Sequence, residues 1–124
     1  MEAILSLDHI YYSYHDKNGE TPVINDLSFE IEPGSFTSIV GPSGCGKSTL
    51  LSLLCDLIKP EAGTIYINPP EGNKDSRMGY MLQKDNLFEW RSIYKNVMLG
   101  LEINNKKIPE NIAYVNHLLK QYDL

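Results

Sequence analysis

The chain is poor in cysteine: two thiols among 124 residues make no disulfide framework. The compartment expected from that usage is a reducing one, the cytosol. Positive charge is also scarce, with eleven Lys and Arg against sixteen Asp and Glu and a formal net charge of −5. That balance argues against a nucleic-acid platform and against a polybasic membrane anchor. Long apolar runs are missing too. The longest, Thr49 to Ile58, is broken by Ser52 and Asp56 and is too short to cross a bilayer. Met1-Glu2 leads directly into a strand-like pattern, so no signal peptide is expected. His9, His15 and His117 lack the spacing of a metal-ligand motif, and no zinc site is expected from them. What remains is ordinary for a soluble globular domain with one core: 42% hydrophobic and 22% charged residues.

Nine residues stand out from this unexceptional composition. Gly41-Pro42-Ser43-Gly44-Cys45-Gly46-Lys47-Ser48-Thr49 matches the phosphate-loop pattern G-x-x-x-x-G-K-[ST]. Glycines at these positions let consecutive backbone N–H groups turn inward around a phosphate, where a Cβ would block close approach. Lys47 supplies a point charge able to reach the outer phosphates, and the Ser48 hydroxyl suits Mg²⁺. The flanks give the pattern a setting. Ser35 to Val40, opened by Pro33-Gly34, is short and rich in aromatic and β-branched residues, which predicts a buried strand. Leu50, Leu51, Leu53, Leu54, Leu57 and Ile58 recur around most of a helical circumference, which predicts a central helix. Pro60 should end it near Lys59. Strand, glycine loop and helix together aim a helix N-terminus at an anion.

Other segments fill out an α/β chain. Ile4 to Tyr14 reads as a strand with Ile10, Tyr12 and Tyr14 on one face and Tyr11 on the other. Asp16-Lys17-Asn18-Gly19 supplies a hairpin turn. Leu27 to Glu32 alternates as a half-buried strand. Thr64 to Ile67 and Met78 to Leu82 read as further strands, with a loop over Asn68 to Ser76 between them. From Ser92 the pattern turns helical, with Ile93, Val97 and Leu101 along one side. A last helix opens near Pro109 with a stripe of Ile112, Val115, Leu119 and Tyr122.

Leu27-Ser28-Phe29, Gly34, the Gly41–Thr49 loop, Lys59-Pro60-Glu61-Ala62-Gly63-Thr64-Ile65 and Gln83 follow the order seen in ATP-binding subunits of ABC transporters. The chain resembles the amino-terminal half of such a subunit. The resemblance implies a P-loop NTPase (RecA-like) core with an antiparallel β subdomain, truncated before the signature motif. Residues 1–91 would form the partial nucleotide-binding core and 92–124 the start of the helical subdomain. Gly41, Pro42, Ser43, Gly44, Cys45, Gly46, Lys47, Ser48 and Thr49 would hold the phosphates of ATP, with Mg²⁺ on Ser48 and Gln83. Gln83 matches the family's glutamine that contacts Mg²⁺ or the attacking water. Tyr14 matches the aromatic residue that stacks on adenine, although Tyr11, Tyr12 and Tyr14 could each simply pack on the sheet. Cys45 as a nucleophile lacks an identifiable base and reads better as a variable loop position.

Leu87, Trp90, Asn96 and Val97 resemble a segment typical of nitrate, sulfonate and taurine importers, with Phe88 and Glu89 departing from it. Trp90 suits an interface anchor, and a core role is equally open. The partners implied are integral membrane permease subunits and a second ATP-binding subunit, with no nucleic acid. The implied location is cytoplasmic, on the inner face of the membrane. No signature loop, Walker B aspartate or catalytic glutamate occurs in the 124 residues. Phosphate binding is therefore expected of them, but not hydrolysis. Uncovered apolar edges are expected around Phe36 to Val40. Two alternative functions stand beside this one: a non-catalytic fragment or interaction module, and a soluble P-loop kinase or GTPase. Arg77 and Arg91, the only arginines, lie in no lid motif of the latter kind.

Overall fold

The computed structural model describes residues 2–69 and 78–124, which divide into two compact units, Met1–Tyr80 and Met81–Leu124. The first unit is built on an antiparallel hairpin, β1 (Leu5–Asp16) and β2 (Gly19–Ile31), joined at the expected turn. β3 (Ala62–Ile67) adds to the other side of β1, giving the order β2-β1-β3. Pro22 lies on β2, an edge strand, where a missing N–H is tolerated.

β1 is not a uniform ladder. Its register slips between Leu7 and Ile10 against β2, and between Asp8 and Tyr11 against β3. His9 carries this bulge in the left-handed region, at φ 49°. Its N–H leaves the ladder and donates to Ser28 Oγ at 2.8 Å. Gly63 of β3 lies against the bulge at φ 88°, and a Cβ there would fall 2.2 Å from the His9 carbonyl oxygen. The bulge resets the alternation, so Leu5 and Leu7 before it and Ile10 after it all face the core. Leu50, Leu53 and Leu54 of α1 (Lys47–Leu54) complete that core with Ile24. Leu53 is 2% exposed. Leu53→Ala should cost about 2–5 kcal/mol of stability in urea unfolding, from lost burial plus the cavity left behind.

The structure corrects four expectations about elements. Ser35–Val40 is not a strand, and Phe36 and Val40 are 95% and 88% exposed. Its composition reports what could be buried, but a strand also needs a hydrogen-bonded neighbour, and this segment pairs with none of β1, β2 and β3. The uncovered apolar side chains expected here are present. Met78–Leu82 is likewise irregular, with Met81 93% exposed.

The central helix ends at Leu54, before the Pro60 signal. Asp56 adopts φ 59°, while Asp56 N–H bonds to Leu53 O and Leu57 N–H to Ser52 O, at 3.1 and 2.9 Å. That pair of bonds is a Schellman termination, which outranks a proline further on. In the second unit, α2 (Ile93–Ile103) buries Met98 rather than the expected Ile93 and Val97, which stay exposed. It packs on α3 (Pro109–Gln121), which buries Val115 of the expected stripe. Both helices also end in Schellman bonds, with Asn105 and Asp123 at the left-handed position. The expected loop over Asn68–Ser76 lies outside the described residues from Pro70 on, as does Arg77.

Candidate functional site

Two constraints on Gly46 shape the Gly41–Thr49 loop. Gly46 is the N-cap of α1 at φ 102°, and a Cβ there would stand 2.8 Å from Val23 Cγ1. The left-handed turn and the close seat on β2 both demand glycine. Beyond it, the N–H groups of Lys47, Ser48 and Thr49 open α1 with no side-chain cap. A helix start leaves such donors without an intrahelical acceptor, and the macrodipole favours an anion there.

Lys47 folds over the same loop. Its Nζ donates to the carbonyl oxygens of Gly41 at 2.6 Å and Pro42 at 2.9 Å, and lies 3.5 Å from Cys45 Sγ. Two neutral carbonyls hold the ammonium at the loop's mouth without cancelling its charge. The Ser48 hydroxyl lies on an exposed residue at the second position of the helix. A hard hydroxyl oxygen beside a phosphate cradle fits Mg²⁺, which fills its remaining positions with waters and phosphate oxygens. Thr49 differs from its loop neighbours. It is 7% exposed, and its Oγ1 lies 3.0 Å from Tyr14 Oη. Pro42, Ser43, Gly44 and Cys45 are exposed along the outer turn. Among the described residues, the Cys45 thiol has the Lys47 ammonium as its hydrogen-bonding neighbour.

Tyr14 is brought to this loop by β1. Its hydroxyl is tied to Thr49, and its ring meets Tyr12 edge-on, with centroids 5.2 Å apart at 88°. About half of Tyr14 remains exposed. An apolar groove of about 260 Å³ flanks the loop, lined by Val23, Ile24, Leu27, Ile39, Val40 and Leu50. Gln83 belongs to the second unit, in an irregular bend after Leu82.

In that unit the segment before α2 is fixed by one side chain. Asn96 Oδ1 accepts from Phe88 N–H at 2.8 Å, and its Nδ2 donates to the carbonyls of Phe88, Arg91 and Ser92. Ser92 caps α2, accepting from Lys95 N–H. Trp90 packs on Phe88 at 4.6 Å between centroids yet is 79% exposed, so it is not a core residue. Arg91 binds Glu102 at 2.6 Å and holds that carboxyl below the usual range, with Lys107 adding to the effect. The Asn96 bracket was not legible beforehand, since an Asn followed by Val signals nothing about which carbonyls it will gather.

Two histidines on β1 carry carboxylate partners. His9 Nδ1 lies 2.5 Å from Asp26 Oδ1, and His15 Nε2 lies 2.5 Å from Glu61 Oε1. Asp26 raises the His9 pKa and Glu61 raises that of His15, in each case chiefly through the hydrogen bond, while Glu61 is lowered by His15. A raised histidine contributes stability that is full below its ordinary value of 6.5 and is lost as pH climbs through the folded value. A lowered glutamate contributes above its ordinary 4.5 and loses it on acidification. The melting temperature should therefore be highest between these values and decline on both sides. His15→Gln should flatten part of the alkaline decline in a thermal-melt series across pH, and an unchanged profile would contradict the pairing.

The ABC transporter family model matches residues 24–124. The chain is 42% identical over 123 residues to an uncharacterized ABC transporter ATP-binding protein, YtlC, of Bacillus subtilis, covering 98% of this chain and 47% of that protein. It is 41% identical to the aliphatic sulfonates import ATP-binding protein SsuB 1 of Shouchella clausii, over 86% of this chain and 39% of that one. It is 36% identical to the taurine import ATP-binding protein TauB of Jannaschia, over 82% and 38%. The chain thus spans less than half the length of these relatives. Among solved structures, the dimeric ATP-binding cassette MJ0796 bound to ADP and Pi superposes with a TM-score of 0.79 at 26% identity, covering 97% of this chain and 57% of that one. A second dimeric structure of MJ0796 gives 0.77 at 27%. The phosphate-loop α/β architecture is therefore that of an ABC cassette, and the chain belongs to the ABC transporter ATP-binding family.

Proposed function

We propose that this chain is the nucleotide-holding part of an ABC importer's ATP-binding subunit, acting with permease subunits on a small anion of the sulfonate or taurine kind. The observation that carries the ATP reading is the convergence at one helix start of the open N–H groups of Lys47, Ser48 and Thr49 with the Lys47 ammonium and the Ser48 hydroxyl. Phosphates would seat on these donors, and Mg²⁺ would take the Ser48 hydroxyl. The magnesium ion supplies charge neutralisation between the outer phosphates. Tyr14, tethered through its hydroxyl to Thr49, presents a ring for adenine. The importer reading draws on the relatives named for taurine and aliphatic sulfonates, together with the exposed Trp90 that follows Gln83 in the second unit. Residues from Gln83 to Tyr94 would pass motion to permeases at the cytoplasmic face. Among the described residues no helix is long and apolar enough to cross a membrane. Dimerisation with a second ATP-binding subunit is part of the same proposal, supported by the dimeric cassette structures.

Tyr14 gives a test of the nucleotide pose. Tyr14→Ala should weaken Mg-ATP by about 1–3 kcal/mol, the range for base stacking on an aromatic ring, and leave inorganic tripolyphosphate binding unchanged. Equal losses for both ligands would place Tyr14 in the loop's structure rather than under the base. The importer reading is tested by a chimera: the matching segment of a sulfonate importer's ATP-binding protein is replaced by these residues. Sulfonate uptake should persist and vanish with Lys47→Ala. A folded, ATP-binding chimera without uptake would contradict the substrate class while leaving the nucleotide site intact.

A further inference from the structure

We propose that His15, Glu20 and Glu61 form a surface site for a divalent transition-metal ion of the zinc class. The three donors come from separate places in the sequence: the end of β1, the start of β2 and the residue before β3. Their ligand atoms all lie within 4.8 Å of one another. Zinc holds nitrogen and oxygen donors at roughly 2.0–2.2 Å, which sets tetrahedral donors roughly 3.4 Å apart. The cluster therefore needs rotamer adjustments rather than backbone movement. The backbone is held on both sides, since His15 pairs with Glu20 across the hairpin and Glu61 N–H donates to Tyr11 O at 2.9 Å.

Charge argues for a cation beyond the histidine. Two carboxylates face one imidazole, which neutralises at most one of them. Among the described residues no lysine or arginine forms an ion pair with Glu20 or Glu61. Glu20 is not idle in the cluster: the Ser13 hydroxyl, on a residue 8% exposed, donates to its Oε1 at 2.8 Å. A bond of that kind orients a ligating carboxylate from behind. The imidazole sets the class, because Mg²⁺ and Ca²⁺ take all-oxygen sets while zinc-like ions accept nitrogen. His15 directly follows Tyr14 on β1, so an ion there would stiffen the strand end that carries the proposed adenine platform.

The test uses the full 124-residue chain, stripped with chelator and titrated with ZnCl₂ by calorimetry. A Cys45→Ser, Cys55→Ser background is run in parallel so that thiols contribute nothing. One ion per chain should bind in both. Affinity should fall at least about tenfold in His15→Ala and in Glu20→Gln, and His9→Ala should leave it unchanged. Zinc should raise the melting temperature of the parent but not of His15→Ala, which mass action requires if the folded site is what binds. His15→Gln, checked by circular dichroism, guards against a folding defect. Equal affinity in the parent and His15→Ala, or displacement of zinc by millimolar MgCl₂, would overturn the proposal.

Discussion

Replacing Lys47 by alanine should weaken Mg-ATP binding by roughly 10- to 100-fold, the worth of a charge-assisted bond to phosphate at about 1.5–3 kcal/mol. The protein's melting temperature should barely change. The two expectations separate because of where the ammonium sits. Its partners are the carbonyls of Gly41 and Pro42 and the Cys45 thiol, all in an exposed turn. Removing it returns those groups to water and leaves no buried orphan. Only the aliphatic stem contributes to packing, beside the groove formed with Val23 and Leu50. A calorimetric titration paired with a thermal melt reads both quantities. Lys47→Arg is the informative companion: it keeps the charge but exchanges a compact donor for a wide planar fork, so binding should fall to an intermediate level.

Gly63→Ala should be the most damaging small substitution in the first unit, at about 3 kcal/mol or more. The added Cβ would stand 2.2 and 2.5 Å from the carbonyl oxygens of His9 and Asp8, at a residue whose φ is 88°. Those neighbours are backbone atoms of a bulge that Asp26 and Ser28 also hold, so they cannot step aside as a side chain could. β3 would be pushed off β1 at Tyr11–Ala62 and Asp8–Thr64. Urea unfolding should show a lower midpoint. The contrast is Gly100→Ala, where nothing stands within 4 Å of the new Cβ, which should be neutral or mildly stabilising because alanine favours a helix interior. Equal effects at the two positions would refute the close-approach argument.

These cases show what the residues reveal on their own. The glycine loop and the helix start are local devices, written in consecutive residues, and both stand where their pattern says. The hairpin turn at Lys17-Asn18, β1, β3 and the openings of α2 and α3 are of the same kind, whereas β2 extends back to Gly19, well before the expected Leu27. The β1 bulge was not legible, because it depends on Gly63 meeting His9 across the sheet, a pairing of distant positions. The strand expected at Ser35–Val40 failed for a related reason: Phe36, Ile39 and Val40 have the right character, but nothing in those residues names a ladder partner. The end of the central helix was misplaced because Asp56 takes a left-handed role usually given to glycine. Tyr14 was singled out as one of three candidates, and its bond to Thr49 is what separates it from Tyr11 and Tyr12. The His15–Glu20–Glu61 cluster escaped a search for ligand spacing, since its members are neighbours only after folding.

Reception of phosphate by backbone donors at the start of α1 underlies the whole nucleotide proposal. Amide proton–nitrogen spectra of the chain titrated with Mg-ATP test it most directly. Saturable shifts should concentrate in Gly44 to Thr49, be strongly weakened by Lys47→Ala and be reproduced in that segment by tripolyphosphate. Shifts of equal size in Lys47→Ala, or a saturable response that leaves Gly46, Lys47 and Ser48 unmoved, would contradict it.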